Sequence, residues 1–281
     1  MTKIMLWQLM VLQLWPHPTW SKVYPRPITK RTPQLRRLWE GMESNTGTNF
    51  GGWLFIVHHA GELPICGASY YAPILMIASG NCIGPHRYDL EGTSVEPTFT
   101  DENIYGMIDT VYTHQKFIQG KLFMDVALLR LQYPIRGLTT EFIKLCTVSV
   151  MAGMKMTAYA WGFDSMDVYR TGLDARSGTV IVQRTRDCLR RLRDAPFRLS
   201  SSNFCVTLSR DPRKCLYDGG APLTFGNELC GVVSFGPRCN NLEHPGVYTD
   251  INKVSPFIRS IEREMQPGSS PSDAGVRKWL K

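Results

Sequence analysis

No segment of this 281-residue chain reaches 18 consecutive apolar residues, so a membrane-spanning helix is not expected. The 8 cysteines include no CxxC pair and no Cys–His cluster, a spacing that excludes zinc-ribbon and zinc-finger chemistry. Neither a metal nor a cofactor is expected. No repeat of fixed period is visible, so repeat architectures drop out. Negative charge is the scarcer sign: 24 Asp and Glu face 32 Lys and Arg, for a formal net charge of +8.

What remains is an ordinary globular composition, 43% hydrophobic and 20% charged, with room for a substantial core. The opening stretch MTKIMLWQLMVLQLWPHPTWS has a basic start at Lys3 and an apolar run from Ile4 to Trp15. Pro16 and Pro18 end that run, and Thr19 and Ser21 are small residues suited to a cut. Residues 1–21 are therefore expected to be a secretory signal peptide, which makes the protein secreted and extracellular. In that compartment an even number of cysteines is expected to pair as disulfides. Nucleic acid is not among the expected partners.

Residues 22–48 are rich in Pro, basic and small polar residues, hold no cysteine, and are expected to form a basic, propeptide-like leader. Its dibasic pairs, Lys30-Arg31 and Arg36-Arg37, are candidate protease cuts, or the leader stays whole. From Gly51 to Ile251 short runs such as GWLFIVHH, ILMIAS, MTAYAWGF and GTVIVQR alternate with Gly and Pro, the pattern of a β-sandwich or barrel. One helix is expected near the end, capped by Ser255 with Pro256 at its first position. Its apolar stripe is Val254, Phe257, Ile258, Ile261 and Met265. Residues 266–281 are expected to be a flexible basic tail. Arg184, Arg186, Arg190, Arg191, Arg193 and Arg198 crowd one region, either a solvated basic face or a site for an anionic glycan, acidic protein or lipid surface.

Five stretches follow one another along the chain: ICGASYYAPILMIASGNC, FMDVALLRL, CLYDGGAPL, GVVSFG and HPGVYTDI. Together they resemble the ordered motifs of secreted trypsin-like serine proteases of the chymotrypsin fold (peptidase S1), which read CGGSLI…TAAHC, DIALLRL, CxGDSGGPL, GIVSWG and KPGVYTxV. The resemblance implies an all-β fold, a chymotrypsin-like double six-stranded antiparallel β-barrel with a C-terminal α-helix, over residues 49–265. In that family a serine attacks, an imidazole takes its proton, and a buried aspartate holds the imidazole in the right tautomer. The matching positions here are Asn81 for the histidine, Asp125 for the aspartate and Gly219 for the serine. Asparagine has no nitrogen that titrates near neutral pH, and glycine has no side chain. The resemblance therefore implies a degenerate triad and no enzymatic activity.

Other cleft positions have drifted as well. The family's oxyanion hole uses backbone N–H groups that correspond to Gly219 and Tyr217, and tyrosine replaces a glycine whose backbone conformation is unusual. Arg213 stands where trypsin has its pocket aspartate. It would repel a basic side chain and favour an acidic one, unless it points to solvent. Ser234 corresponds to the serine that supports the aspartate, and Gly236 and Gly246 complete a substrate-like cleft. Asp218 matches the residue that receives a new N-terminal ammonium after cleavage, and Arg37-Leu38-Trp39-Glu40-Gly41 resembles the cut site, with Trp39 and Glu40 untypical. The resemblance implies disulfides Cys66–Cys82, Cys188–Cys205 and Cys215–Cys239. Met156 and Phe225 occupy the places of a further family disulfide, which leaves Cys146 and Cys230 to pair by elimination.

A disulfide-held, exported, non-catalytic protease homologue of the insect secreted type is expected to act by binding. Its partner would be a secreted protein: a protease, an inhibitor, or a seminal-fluid or haemolymph protein. Two alternatives stand beside this reading. One is a glycan- or membrane-surface module using the arginines of 184–198, and the other a hydrolase with a non-standard site.

Overall fold

The computed structural model describes residues 43–44, 50–59, 64–98, 104–136, 140–161, 175–207, 218–236, 244–265 and 276–280. The signal peptide (1–21), the candidate cuts at Lys30-Arg31 and Arg37, Arg213, Tyr217 and the pair Cys215–Cys239 lie outside the described residues.

A two-residue strand, β1 (Glu43–Ser44), comes first, followed by β2 (Leu54–His58), β3 (Cys66–Ala72), β4 (Leu75–Ala78), β5 (Ser94–Pro97), β6 (Gly106–His114) and β7 (Ala127–Leu131). Strands β2 to β7 pair antiparallel in the ring β6-β5-β2-β3-β4-β7, and β7 returns to β6 through Ile108↔Leu131 to Thr113↔Ala127. Six strands thus close a barrel, which removes the edges an open sheet would expose. Its strands are buried on both faces, with Phe55, Ile56, Met76, Ile77, Val111, Leu128 and Leu129 all fully buried.

The second sheet holds β8 (Lys144–Leu145), β9 (Lys155–Ala160), β10 (Arg176–Ile181), β11 (Asn203–Val206), β12 (Pro222–Phe225), β13 (Glu228–Phe235) and β14 (Gly246–Asp250). The order β10-β9-β12-β13-β14-β11 is closed by a bridge from Val182 to Val206, just past the end of β10. Two strands are appended: β8 runs parallel to β13, and β1 lies antiparallel on β10. At Glu43–Ser44, then, the basic leader is paired to the second barrel. The β12–β13 hairpin turns on Gly226-Asn227, with Gly226 at φ +57°, the backbone a two-residue hairpin requires. The register Leu223↔Ala158, Thr224↔Thr157 carries Phe225 to a place opposite Met156, where no disulfide forms.

Two expectations at the C-terminal end are corrected. The helix runs over Ile251–Glu264, not from Ser255, because Asp250 caps it by accepting a hydrogen bond from Asn252 N at 2.9 Å. Pro256 sits inside the helix and has no N–H for the Asn252 carbonyl, and the Ser255 hydroxyl donates to that carbonyl instead, at 3.2 Å. Ile251, Val254, Phe257, Ile258 and Ile261 form the buried stripe. The tail also departs from the loose segment expected: Val276–Leu280 forms strand β15, antiparallel to β6 from Val276↔His114 to Leu280↔Thr110. On β6, strand β5 reaches only Met107 and Gly106, so β15 covers the part of β6 that β5 leaves open. Arg277 anchors it by donating to the Phe117 carbonyl at 3.1 Å.

Three disulfides brace the described residues: Cys66–Cys82, Cys146–Cys230 and Cys188–Cys205. Each cross-link of this kind contributes typically about 2–4 kcal/mol. Among the described residues no helix is long and apolar enough to cross a membrane, and no cluster of His, Cys, Asp or Glu could hold a metal.

Candidate functional site

Just past the first-barrel strand β4, Ser79 caps the four-residue helix α1 (Gly80–Ile83) by accepting from Cys82 N at 3.2 Å. The same Ser79 hydroxyl donates to the Asp125 carboxylate at 3.0 and 3.1 Å. Asn81 N donates to Asp125 Oδ1 at 2.8 Å, and the Ser234 hydroxyl, on β13 of the second barrel, donates to Oδ2. Thr249 on β14 donates to the Asp125 carbonyl at 2.8 Å. Asp125 is thus one point where the two barrels are stitched together, and it is fully buried.

All the groups bonded to this carboxylate are neutral. Burial pushes its pKa up to about 6, against the opposing effect of hydrogen bonds from Ser234, Asn81 and Ser79. A cation beside it would hold the value down, and none is among its described partners.

The Asn81 side chain is committed to the facing loop. Its Nδ2 donates to the Lys121 carbonyl at 2.7 Å and its Oδ1 accepts from Gly120 N at 2.6 Å. Gln119 Nε2 donates to the Asn81 carbonyl at 2.8 Å. The loop between β6 and β7 therefore grips α1 through three bonds. It also packs tightly on that helix, since a Cβ added at Gly80 would come within 2.9 Å of the Phe117 ring.

The described imidazoles are engaged elsewhere. His58 lies 3.4 Å from Glu96, and His59 bonds Thr93 at 2.9 Å with its ring tilted against that of His86. His114 accepts from Lys116 N at 3.1 Å, and burial, helped by Lys116, holds its pKa below the ordinary value. His244 Nδ1 is 3.2 Å from the Arg191 carbonyl.

Across the seam, Gly219 is half-buried, and its carbonyl accepts from Gly67 N at 2.9 Å. A Cβ at Gly219 would lie 3.2 Å from Cys82 Sγ, against the Cys66–Cys82 disulfide. Gly220 takes φ +78°, and a Cβ there would fall 2.4 Å from the Gly67 carbonyl oxygen, so only glycine fits this approach of the two barrels. Asp218 is fully buried and its carboxylate accepts from Trp161 N.

The structure thus brings Asn81, Asp125, Gly219 and Ser234 to one seam between barrels, with Gly236 and Gly246 at the adjoining ends of β13 and β14. Sequence reasoning missed Ser79 as a donor to Asp125, although a serine ahead of Gly80-Asn81-Cys82 is a readable helix cap. It also missed the 119–121 loop, for which no sequence signal exists.

A seam of this kind between two six-stranded barrels can be compared with known proteins. The family model described as Trypsin matches residues 40–258. The chain belongs to the trypsin family. Among curated trypsin-family relatives, Seminase of Drosophila melanogaster is 28% identical over 221 residues, covering 78% of this chain and 79% of that protein. Hypodermin-B of Hypoderma lineatum is 27% identical over 203 residues, covering 70% of this chain and 78% of its own length. Among solved structures, mouse neuropsin superposes with a TM-score of 0.63 at 20% identity, over 76% of this chain and 95% of that one. That likeness concerns the fold alone.

Proposed function

We propose that this trypsin-family chain is a secreted, non-catalytic homologue that acts by binding another secreted protein. The partner is a protease, its inhibitor, or a component of seminal fluid or haemolymph, and the chain serves as regulator, cofactor or decoy in extracellular proteolysis. One observation carries the reading. The carboxylate that would orient a catalytic imidazole is occupied by two hydroxyls and the backbone N–H of Asn81, while the Asn81 side chain is bonded to Gly120 and Lys121. Among the described residues no imidazole stands there to take a proton from a nucleophile, and Gly219 offers no nucleophile to deprotonate. In proteases that use this chemistry, losing members of the triad costs about 10⁴ to 10⁶ in turnover. The disulfides and the closed barrels preserve a rigid surface on which loops can still be presented.

The test is active-site labelling. Purified chain is treated with a fluorophosphonate probe beside active trypsin, and a peptide substrate is supplied in parallel. No adduct and no turnover are expected, together with saturable capture of a specific protein from the native secretion. A covalent adduct on this chain, or turnover that survives trypsin inhibitors, overturns the reading.

A further inference from the structure

Six arginines, Arg184, Arg186, Arg190, Arg191, Arg193 and Arg198, stand in a stretch of 15 residues whose only carboxylates are Asp187 and Asp194. Six positive charges less two negative leave +4, half of the chain's formal +8. The backbone beneath them is held firmly. Residues Thr185–Arg191 form a short helix, α2, which the Cys188–Cys205 disulfide ties to β11. Cys188 and Leu192 are buried with Leu122, Cys205 and Val247, and the Phe197 ring packs on Phe235 with centroids 4.1 Å apart. With the apolar side chains turned inward, all six arginines are exposed. Arg190 pairs with Asp187 at 2.7 Å and Arg193 approaches Asp194 at 3.6 Å. Arg184, Arg186, Arg191 and Arg198 have no ion pair among the described residues.

We propose that this face is a binding site for a sulfated polysaccharide. A guanidinium presents a planar fork of donors that matches an oxyanion, and a fixed group of them attracts a ligand carrying repeated negative charge. The apolar content of the face separates the polyanions. A lipid surface gains from inserted apolar or aromatic side chains, and Leu189 is the single large hydrophobic exposed between residues 184 and 198. A protein partner would be held by aromatic or apolar anchors, and a single nucleic-acid strand by aromatic rings free to stack. The one aromatic ring here, Phe197, is already taken by Phe235. A sulfated glycan needs neither. The site also borders the cleft, since Phe235 lies on β13 and the Arg191 carbonyl contacts His244 just ahead of β14. A glycan bound there would hold the protein on an extracellular matrix beside whatever its cleft wall touches. The proposal stands whether or not the chain is catalytic.

The full secreted chain is titrated with a heparin oligosaccharide at low and at moderate salt, with thermal melts confirming each variant is folded. Arg190→Ala/Arg191→Ala/Arg193→Ala is expected to weaken binding about tenfold, and raised salt to weaken it further. Lys144→Ala/Lys155→Ala/Lys253→Ala removes the same charge from other exposed positions and is expected to change affinity less than about twofold. Arg184→Ala/Arg186→Ala supplies a second variant, also expected to weaken binding, should the first not fold. Desulfated heparin, phosphatidylserine vesicles, polyglutamate and duplex DNA are the comparison ligands, and each is expected to bind more weakly. Equal losses in the arginine and lysine variants overturn the site, and binding of vesicles, polyglutamate or DNA as tight as heparin overturns the glycan assignment. An absence of heparin binding at low salt overturns both.

Discussion

The seam at Asp125 and the arginine face at 184–198 treat charge in opposite ways. At the seam one carboxylate is buried with no cation among its described partners, and burial raises its pKa to about 6. On the face six guanidiniums stay in water, where being charged costs little and two nearby aspartates do not balance them. The seam is dense, built from groups on both barrels, and intolerant of added atoms. The face is a rigid display whose side chains can be exchanged without touching the core. Stability resides in the first region, and recognition is open to the second.

That contrast is sharpest at Gly220. Gly220→Ala places a Cβ against the Gly67 carbonyl in a left-handed backbone, and we expect it to destabilise by about 3 kcal/mol or more, or to prevent folding. Gly226→Ala, also left-handed but in open space, should cost about 1 kcal/mol. Denaturant melts of the two variants compare them directly, and equal losses would mean that the barrel contact adds nothing.

A similar effect is expected from pH. The Asp125 pKa is raised from the ordinary carboxylate value to about 6, so the folded protein holds that proton more tightly than the unfolded chain. Its contribution is fully present below the ordinary pKa and is lost as pH rises through about 6. The loss between pH 4 and pH 7 should be on the order of 3 kcal/mol. In Asp125→Asn that part of the pH dependence should vanish, and an unchanged pH profile in the variant would show that another group is responsible.

On the exposed side the effects shrink. Arg190→Ala/Arg191→Ala/Arg193→Ala should leave stability within about 0.5 kcal/mol per site, because these groups are exposed and at most singly paired. A larger loss would mean the face is part of the scaffold. The smallest expected effect is on activity: Asn81→His with Gly219→Ser should not produce trypsin-like turnover of a peptide substrate. The new serine must press against Cys82, and the bonds from Asn81 to Gly120 and Lys121 are lost. Trypsin-like rates from that double variant would show that the rest of the cleft is intact.

Much of the architecture was readable beforehand because it depends on local pattern and chain order. Alternating short β runs, the five ordered motifs and the cysteine positions point to two closed barrels, and the structure has them. Less was readable at the C-terminal end. Ser255 and Pro256 imitate a helix start, but Asp250 accepts from Asn252 N first, and the serine hydroxyl repairs the gap the proline leaves. The last residues look loose by composition and become a strand only because β6 has an uncovered edge. Helix α2 is short and crowded with arginine, so no apolar period announces it. The burial of Cys188 and Leu192 sustains it instead.

By itself the sequence determined which side chains exist at the seam: an asparagine, an aspartate and a glycine, whose chemical capacities do not depend on packing. It also determined that six arginines fall close together. Only the tertiary structure decided where these groups face, because the deciding contacts join distant segments. Asn81 turns to Lys121, 40 residues on, and Asp125 is satisfied by Ser234, 109 residues on. Hydrogen-bond partners at that separation follow from how two barrels meet, not from the residues beside them in the chain.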